Sequence, residues 1–162
     1  MVEMPSGCLT LSFRQPNGQT MNNALKILVV EPDADVRETI CSVLRELGME
    51  AAPARGVRSA DAALAGGDID LAMSEVALAD GSGLALARKL RATGIPVVLM
   101  AAGPAPDSEC AAVAPFLRKP FRLSRLLRII ASAAPIRARS GMAHFAPRPA
   151  NPTVPFLRRI RE

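Results

Sequence analysis

The stretch KILVVEPDADVRETICSVLRELG, residues Lys26–Gly48, joins a short apolar run to an amphipathic pattern. A continuous apolar run such as KILVV is typical of a strand that is covered on both faces of a sheet. The residues after it repeat at the spacing of one helix face: Val36, Ile40, Leu44 and Leu47. Gly48 stands where such a helix ends. The stretch therefore predicts one strand followed by one helix.

The start of this helix carries several acidic side chains. Asp35 and Glu38 form a D-x-x-E pattern that is typical of a capping box. Asp33 and Asp35 are both interpreted as helix caps. Asp33 is also a weak substitute for a metal ligand.

The same alternation continues along the chain. Strand-like runs are MEAAPA (49–54), IDLAMS (69–74), IPVVLMAA (95–102) and PFLRKPF (115–121). Helical segments are predicted at 59–64, 84–90 and 107–113, and over the apolar face of Leu123, Leu126, Leu127 and Ile130. Five strands that alternate with five helices indicate an α/β fold, with a parallel sheet and helices on both faces.

Ligand sites in such folds lie at the carboxyl ends of the strands, near the point where strand order reverses. Glu31, Glu75, Ala101 and Lys119 each end or follow a predicted strand. The sequence therefore predicts that these four residues share one edge of the sheet. An acid such as Glu75, at the end of an apolar strand, is a candidate catalyst, metal ligand or phosphate acceptor.

Charge and composition divide the 162 residues into three segments. Residues 1–24 are interpreted as a flexible leader, 25–134 as the folded domain, and 135–162 as a disordered tail rich in proline and arginine. Residues 1–134 have 14 basic and 14 acidic side chains, whereas the tail has six arginines and one glutamate. The net charge of +5 therefore comes from the tail.

Cysteine content and hydropathy give an expectation about the compartment. Cys8, Cys41 and Cys110 are far apart and form no CxxC pair, which fits a reducing cytoplasm. No apolar run approaches the length of a membrane span, so no membrane association is expected. Cys41, within the first helix, is interpreted as a packing residue.

Four motifs, in order and at matching spacing, resemble the receiver domain of bacterial two-component response regulators. They are KILVVEPDADVRETICSVLRELG, DLAMSEVALADGSGLALARKLR, IPVVLMAA and FLRKPF. The resemblance implies a CheY-like, flavodoxin-like sandwich of five parallel strands. It also implies an Asp phosphoacceptor after the third strand, two acids that hold Mg²⁺ after the first, a hydroxyl residue after the fourth and a lysine after the fifth.

The chain departs from that pattern at most of these positions. Glu75 stands at the acceptor position, Pro32 at the second acid and Ala101 at the hydroxyl position, whereas Glu31 and Lys119 match. Two further positions also differ: Phe116 is an aromatic residue without a hydroxyl, and Ala79 replaces a loop proline. The segment between Ala101 and Lys119 is roughly one helical turn short, which predicts a shortened fourth helix.

These departures predict a degenerate receiver. Pro32 offers no side-chain oxygen, so Mg²⁺ binding is expected to be weak or lost. The Glu75 carboxylate lies roughly 1.5 Å further out than that of an aspartate, and Ala101 cannot bind a phosphoryl oxygen. Glu75 is instead expected to face Lys119 in an ion pair that holds one conformation. No catalytic or metal-ligating residue is assigned.

The function expected is that of a stand-alone, non-phosphorylated interaction module, not an enzyme, in two-component or phosphorelay signalling. Its partner would be a signalling protein: a histidine kinase, a regulator or a protease adaptor. One alternative is a receiver that a histidine kinase still phosphorylates. A second alternative is a nucleic-acid accessory protein that acts through the basic tail, although the tail has little aromatic content for base stacking. A third alternative is a small α/β enzyme that uses Glu75 and Lys119.

Overall fold

Five short segments form a parallel sheet in the computed structural model, which describes residues 24–103 and 108–134. The strands are β1 (Lys26–Val30), β2 (Glu50–Ala54), β3 (Leu71–Glu75), β6 (Val97–Ala101) and β7 (Phe116–Arg118). Their order in the sheet is β2-β1-β3-β6-β7, and every pairing is parallel. The predicted flavodoxin-like, five-stranded parallel sheet is confirmed.

Helices cover both faces of this sheet. They are α1 (Ala34–Glu46), α2 (Val57–Ala65), α3 (Gly83–Ala92), α4 (Ser108–Val113) and α5 (Leu123–Ala133). Helix α4 has only six described residues, in keeping with the predicted shortening. The leader and tail boundaries fall on residues 1–23 and 135–162, which lie outside the described residues.

Two apolar cores lie on opposite sides of the sheet. One packs α1 and α5 against strand residues such as Val29, Met73 and Leu117, and the other packs α2 and α3 against Leu28, Ala72 and Leu99. Neighbouring residues of one strand thus enter different cores, because side chains alternate across a strand. Cys41 is fully buried in the first core, as the packing interpretation expected.

The interpretation of Asp33 as a helix cap is confirmed, whereas the predicted capping box at Asp35 is wrong. The helix begins at Ala34, and Asp33 is its N-cap, with a carboxylate that accepts from the Val36 backbone N–H at 2.9 Å. Asp35 lies inside the first turn and caps nothing. The D-x-x-E pattern therefore placed the N-cap two residues too late. Asp33 accepts from the Val36 N–H, which would have no side-chain partner if Asp35 were the N-cap.

A two-stranded hairpin between β3 and α3 was not predicted. It pairs β4 (Ala77–Leu78) with β5 (Gly81–Ser82), and strands of two residues are too short to produce a periodic pattern. The hairpin lies next to the carboxyl edge of the sheet and leads into α3, whose N-cap is Ser82.

Candidate functional site

Strand order reverses between β1 and β3, and an acidic residue stands at the end of each. Glu31 follows β1, and Glu75 is the last residue of β3. The backbone of Glu31 continues the sheet, since its N–H donates to the Ala54 carbonyl oxygen at 2.9 Å. Glu31 is 2% exposed and Glu75 is 8% exposed. Both acids are therefore held in a largely dry environment, where a charge needs a partner.

Lys119 provides that partner for both acids. Its Nζ lies 2.8 Å from Glu31 Oε2 and 2.6 Å from Glu75 Oε2. Its backbone N–H donates to the Ala101 carbonyl oxygen at 2.8 Å, which fixes the lysine at the end of β7. One ammonium group thus bridges the two carboxylates across the switch point of the sheet.

The remaining oxygens of these carboxylates are also engaged. Glu31 Oε1 accepts from the Asp33 backbone N–H at 3.2 Å, and Glu75 Oε1 accepts from the Val76 backbone N–H at 3.0 Å. Within residues 24–103 and 108–134, no buried side-chain nitrogen or oxygen lacks a hydrogen-bond partner. The three side chains therefore form a closed network, with both carboxylates fixed by the backbone as well as by the lysine.

The pKa of Lys119 reflects two opposing effects. Burial of the ammonium lowers its pKa, whereas the hydrogen bonds and negative charges of Glu31 and Glu75 raise it further than burial lowers it. The net result is a pKa above the ordinary lysine value, so the ammonium stays charged throughout the physiological range.

Arg37 is a member of this site that the sequence analysis missed. Its guanidinium donates to the carbonyl oxygens of Glu31 at 2.6 Å and Pro32 at 3.2 Å. It therefore clamps the loop between β1 and α1 from the first turns of the helix. In the sequence, only the position of Arg37 pointed to this role, because it lies four residues, or about one helical turn, after the N-cap residue Asp33.

The other predicted positions bring no acidic or hydroxyl side chain to this network. Ala101 is the half-buried last residue of β6, and Pro32 is exposed in the β1–α1 loop. Phe116 is half-buried and packs against the core beneath α2 and α3. The structure thus brings together Glu31, Glu75 and Lys119, and the backbone of Lys119 is hydrogen-bonded to that of Ala101.

Two further observations concern metal binding and membrane insertion. No group of three or more His, Cys, Asp or Glu side chains in the described part of the chain has the geometry to hold a metal ion. Over the same residues, none of the helices has the length and apolar content needed to cross a bilayer.

Comparisons with known proteins agree with this fold. The family model of the response regulator receiver domain matches residues 27–131. Response regulator protein PilR of Pseudomonas aeruginosa is 33% identical over an alignment of 128 residues, which covers 75% of this chain and 28% of PilR. The chain therefore spans less than a third of that relative.

Two solved structures extend the comparison. A CheY-like receiver domain from Methylobacillus flagellatus is 27% identical with a TM-score of 0.62, and the match covers 68% of this chain and 98% of that one. A two-component response regulator from Clostridium difficile is 26% identical with the same TM-score of 0.62, over 67% of this chain and 93% of that one. The family model matches well over half of the chain, and so the chain belongs to the response regulator receiver domain family.

Proposed function

We propose that this receiver domain does not take up a phosphoryl group and acts as a protein-interaction module in two-component or phosphorelay signalling. The observation that carries the proposal is the Lys119 ammonium, bound to Glu31 at 2.8 Å and to Glu75 at 2.6 Å. In this arrangement the carboxylate at the acceptor position is already bound to an internal cation. The domain then has one ground state rather than two.

The chemistry of the donor set supports this proposal. Mg²⁺ prefers several hard oxygen ligands in octahedral geometry. Glu31 and Glu75 each already accept from Lys119 and from a backbone N–H, and Pro32 brings no side-chain oxygen. The residues present do not fit the magnesium ion that the family implies, and we propose that its binding is weak or lost.

The geometry of transfer supports the proposal as well. Phosphoryl transfer depends on positioning and on neutralising the charge of the transferred group. Glu75 Oε2 is held by Lys119 and Oε1 by the Val76 amide, and Ala101, at the end of β6, has no side-chain hydrogen-bond donor. An incoming phosphoryl group would have to displace these bonds without a metal to compensate.

The partner in this proposal is another signalling protein, because receiver domains of two-component systems interact with proteins such as kinases. A domain with one conformation can bind such a partner without being phosphorylated. The proposal assigns no reaction to the chain: Glu31, Glu75 and Lys119 maintain a conformation.

Intact-protein mass spectrometry after incubation with acetyl phosphate and Mg²⁺ tests the proposal. We expect no phosphoryl adduct on the wild-type chain. The control is the triple variant Pro32→Asp/Glu75→Asp/Ala101→Thr, which restores the acid, acceptor and hydroxyl of the family pattern and is expected to gain labelling. A labile adduct on the wild type that disappears in Glu75→Gln would instead favour a receiver that is still phosphorylated.

A further inference from the structure

A cleft of about 500 Å³ lies between α2 and α3, on the face of the sheet opposite α1 and α5. Its apolar lining comes from both helices and from the loop before β6: Leu64, Ala65, Leu90 and Ile95. Asp61, Lys89 and Thr93 add a few polar groups to this lining. A cleft of this size, with apolar walls and a small number of polar groups, is typical of a binding site.

The polar groups of the cleft favour an additional cation. Asp61 binds the Lys89 ammonium through Oδ1 at 2.7 Å, and its second oxygen, Oδ2, has no partner in the described part of the chain. The carboxyl end of α2 borders the cleft and carries partial negative charge. The last turn of α2 has no basic residue that would compensate this charge. A ligand for the cleft should therefore combine apolar side chains with a positive charge.

The sequence beyond the described domain contains a segment of this chemistry. Residues 154–160, VPFLRRI, place Phe156 and Leu157 directly before Arg158 and Arg159. We call residues 154–160 the tail segment. It has four apolar side chains besides its proline, two arginines and no acidic residue. The apolar residues match the walls of the cleft, and the arginines match Asp61 and the end of α2.

The chain leaves the described domain at the edge of the sheet where the cleft lies. Ala134 packs in the same core as Leu25 and Met49, which come directly before β1 and β2. Ala134 is therefore at the amino edge of the sheet. Helices α2 and α3 end at this edge too, because β3 and β6 begin there.

The chain between the domain and the tail segment is long enough to reach the cleft. Residues 135–153 number 19 and span up to about 60 Å when extended. A domain of about 100 residues has a radius of gyration of about 13 Å, so the opposite face lies within this reach. Tethering raises the local concentration of the tail segment to the order of millimolar.

From these observations we infer that the tail segment binds in the cleft between α2 and α3 of its own domain. Phe156 and Leu157 enter the apolar part of the cleft, and Arg158 contacts Asp61 Oδ2. This inference goes beyond the proposed function, because it does not depend on whether Glu75 takes up a phosphoryl group. It assigns a binding role to the basic tail within the molecule.

Other occupants fit the cleft less well. An acidic protein surface would be repelled by Asp61 and by the carboxyl end of α2, and Lys89, the basic residue of the lining, is already bound. A second copy of the chain offers the same tail segment, but only at its bulk concentration. The tethered segment has the advantage at any protein concentration below the millimolar range.

Amide NMR spectra of full-length proteins test the inference. We expect Phe156→Asp/Leu157→Asp to shift the signals of Leu64, Thr93 and Ile95 away from their wild-type positions, because the tail segment no longer fills the cleft. The signals of strands β1 and β6 should keep their positions, which shows that the fold is intact.

The matched control for these spectra is Met142→Asp/Phe145→Asp. It introduces the same two negative charges into the same tail, and it also replaces a phenylalanine and an aliphatic side chain. We expect the signals of the cleft residues to keep their wild-type positions in this variant.

A synthetic peptide with the sequence VPFLRRI gives a second measurement, by fluorescence anisotropy. Phe156→Asp/Leu157→Asp, whose cleft is open, should bind the peptide saturably. The wild type should bind it at least about fivefold more weakly, because its own tail segment competes.

A variant of the cleft itself completes the test. Ala65→Trp, added to Phe156→Asp/Leu157→Asp, fills the cleft and should abolish peptide binding. Ala92→Trp in the same background is the control and should leave binding unchanged. Both alanines are exposed and end their helices, but only Ala65 lines the cleft.

Four results would overturn the inference. The first is unchanged signals of the cleft residues in Phe156→Asp/Leu157→Asp, and the second is an equal shift in both tail variants, which would reflect charge alone. The third is equal peptide affinity of the wild type and Phe156→Asp/Leu157→Asp, which would mean that the wild-type cleft is open. The fourth is a dimer in sedimentation equilibrium that Phe156→Asp/Leu157→Asp abolishes, which would place the tail segment in the cleft of a second copy.

Discussion

Lys119 joins two buried carboxylates through a single ammonium group, and its energetic role follows from this burial. An ion pair in water contributes little, because solvent screens the charges and ordering the side chains costs entropy. Glu31 and Glu75 cannot regain solvent without opening the edge of the sheet, since they are 2% and 8% exposed. Removing the lysine would therefore leave two carboxylates with a missing partner in a dry environment.

We expect Lys119→Met to lower the free energy of unfolding at neutral pH by about 3–5 kcal/mol. Urea denaturation followed by circular dichroism measures this loss. The control is Lys89→Met, because Lys89 forms an ion pair of 2.7 Å with Asp61 in which the lysine is exposed and the aspartate is partly exposed. That variant should lose no more than about 1 kcal/mol. Equal losses would mean that the buried network contributes no more than an exposed pair.

The pH dependence of stability follows from the raised pKa of Lys119. A group whose pKa is raised by folding contributes stability that is complete below its unfolded pKa and is lost as the pH rises through its folded pKa. The wild type should therefore lose stability above about pH 10.4. The stability of Lys119→Arg, whose side chain stays charged at that pH, should fall less as the pH rises.

Thermal denaturation from neutral to strongly alkaline pH compares the two proteins. Burial also raises the pKa of the Cys41 thiol, but both proteins contain Cys41 and its contribution cancels in the difference. If the melting temperatures of the wild type and Lys119→Arg fall equally as the pH rises, the assignment of the extra stability to Lys119 is contradicted.

At the scale of elements, α2 is capped by a residue that is distant in sequence. The carboxylate of Asp80, in the turn of the β4–β5 hairpin, accepts from the backbone N–H groups of Val57 at 2.8 Å and Arg58 at 3.1 Å. Gly56, the N-cap of α2, leaves room for it, since a Cβ there would overlap Asp80. The loop after the acceptor position is thereby tied to α2.

Asp80 should make stability depend on acidic pH. The backbone hydrogen bonds from Arg58 and Val57 hold its pKa below the ordinary value. A lowered pKa contributes stability that is present above the unfolded pKa and lost as the pH falls through the folded one. As the pH falls into the acidic range, we expect the melting temperature of Asp80→Asn to decrease less than that of the wild type.

The control for this prediction is Asp68→Asn, which removes the same charge from an exposed residue. Asp68 has a φ of 61°, a conformation that asparagine also tolerates. The acid limb of this variant should follow that of the wild type. If both variants shift the limb equally, the hydrogen bonds of Asp80 have no specific effect.

The junction of β3 and α3 depends on a close backbone approach at Gly83. A methyl group on this residue would overlap the Glu75 carbonyl oxygen and lie 3.0 Å from Ser74 Oγ. We expect Gly83→Ala to lower the free energy of unfolding by roughly 1–3 kcal/mol. Gly103→Ala, where a methyl would meet nothing within 4 Å, is the control and should be close to neutral in urea denaturation. A neutral Gly83→Ala would show that the junction can relax.

The sequence predicted the elements well because their signals are local. Apolar runs such as Leu71–Glu75 and helical repeats such as the one through Leu126 and Ile130 depend only on neighbouring residues. The start of α1 was misjudged because Asp33 and Asp35 are both good caps, and only the three-dimensional hydrogen bond distinguishes them. Asp80 escaped notice because its partners lie more than twenty residues away.

The candidate site was predictable in its location and less so in its connectivity. Parallel strands end at one edge, so the proximity of Glu31, Glu75 and Lys119 follows from the fold. That Lys119 binds Glu31 as well as Glu75 depends on side-chain directions, which spacing does not encode. The same holds for Arg37, whose contacts are to backbone carbonyls.

At the scale of the whole molecule, the buried network ties together strands that are far apart in sequence. Glu31 follows β1, Glu75 ends β3 and Lys119 directly follows β7. The two ion pairs of Lys119 therefore join these three strands at the carboxyl edge of the sheet. In the proposed function, this network holds the domain in one conformation.

The most direct test of a static receiver is an amide NMR spectrum of the full chain, recorded before and after addition of Mg²⁺ and beryllofluoride, a mimic of the phosphoryl group. If the Lys119 network is closed, the signals of Glu31, Glu75, Ala101 and Lys119, and those of α5, should keep their positions. Saturable shifts at these residues, absent in Glu75→Gln, would contradict the account and mark a working phosphoryl switch.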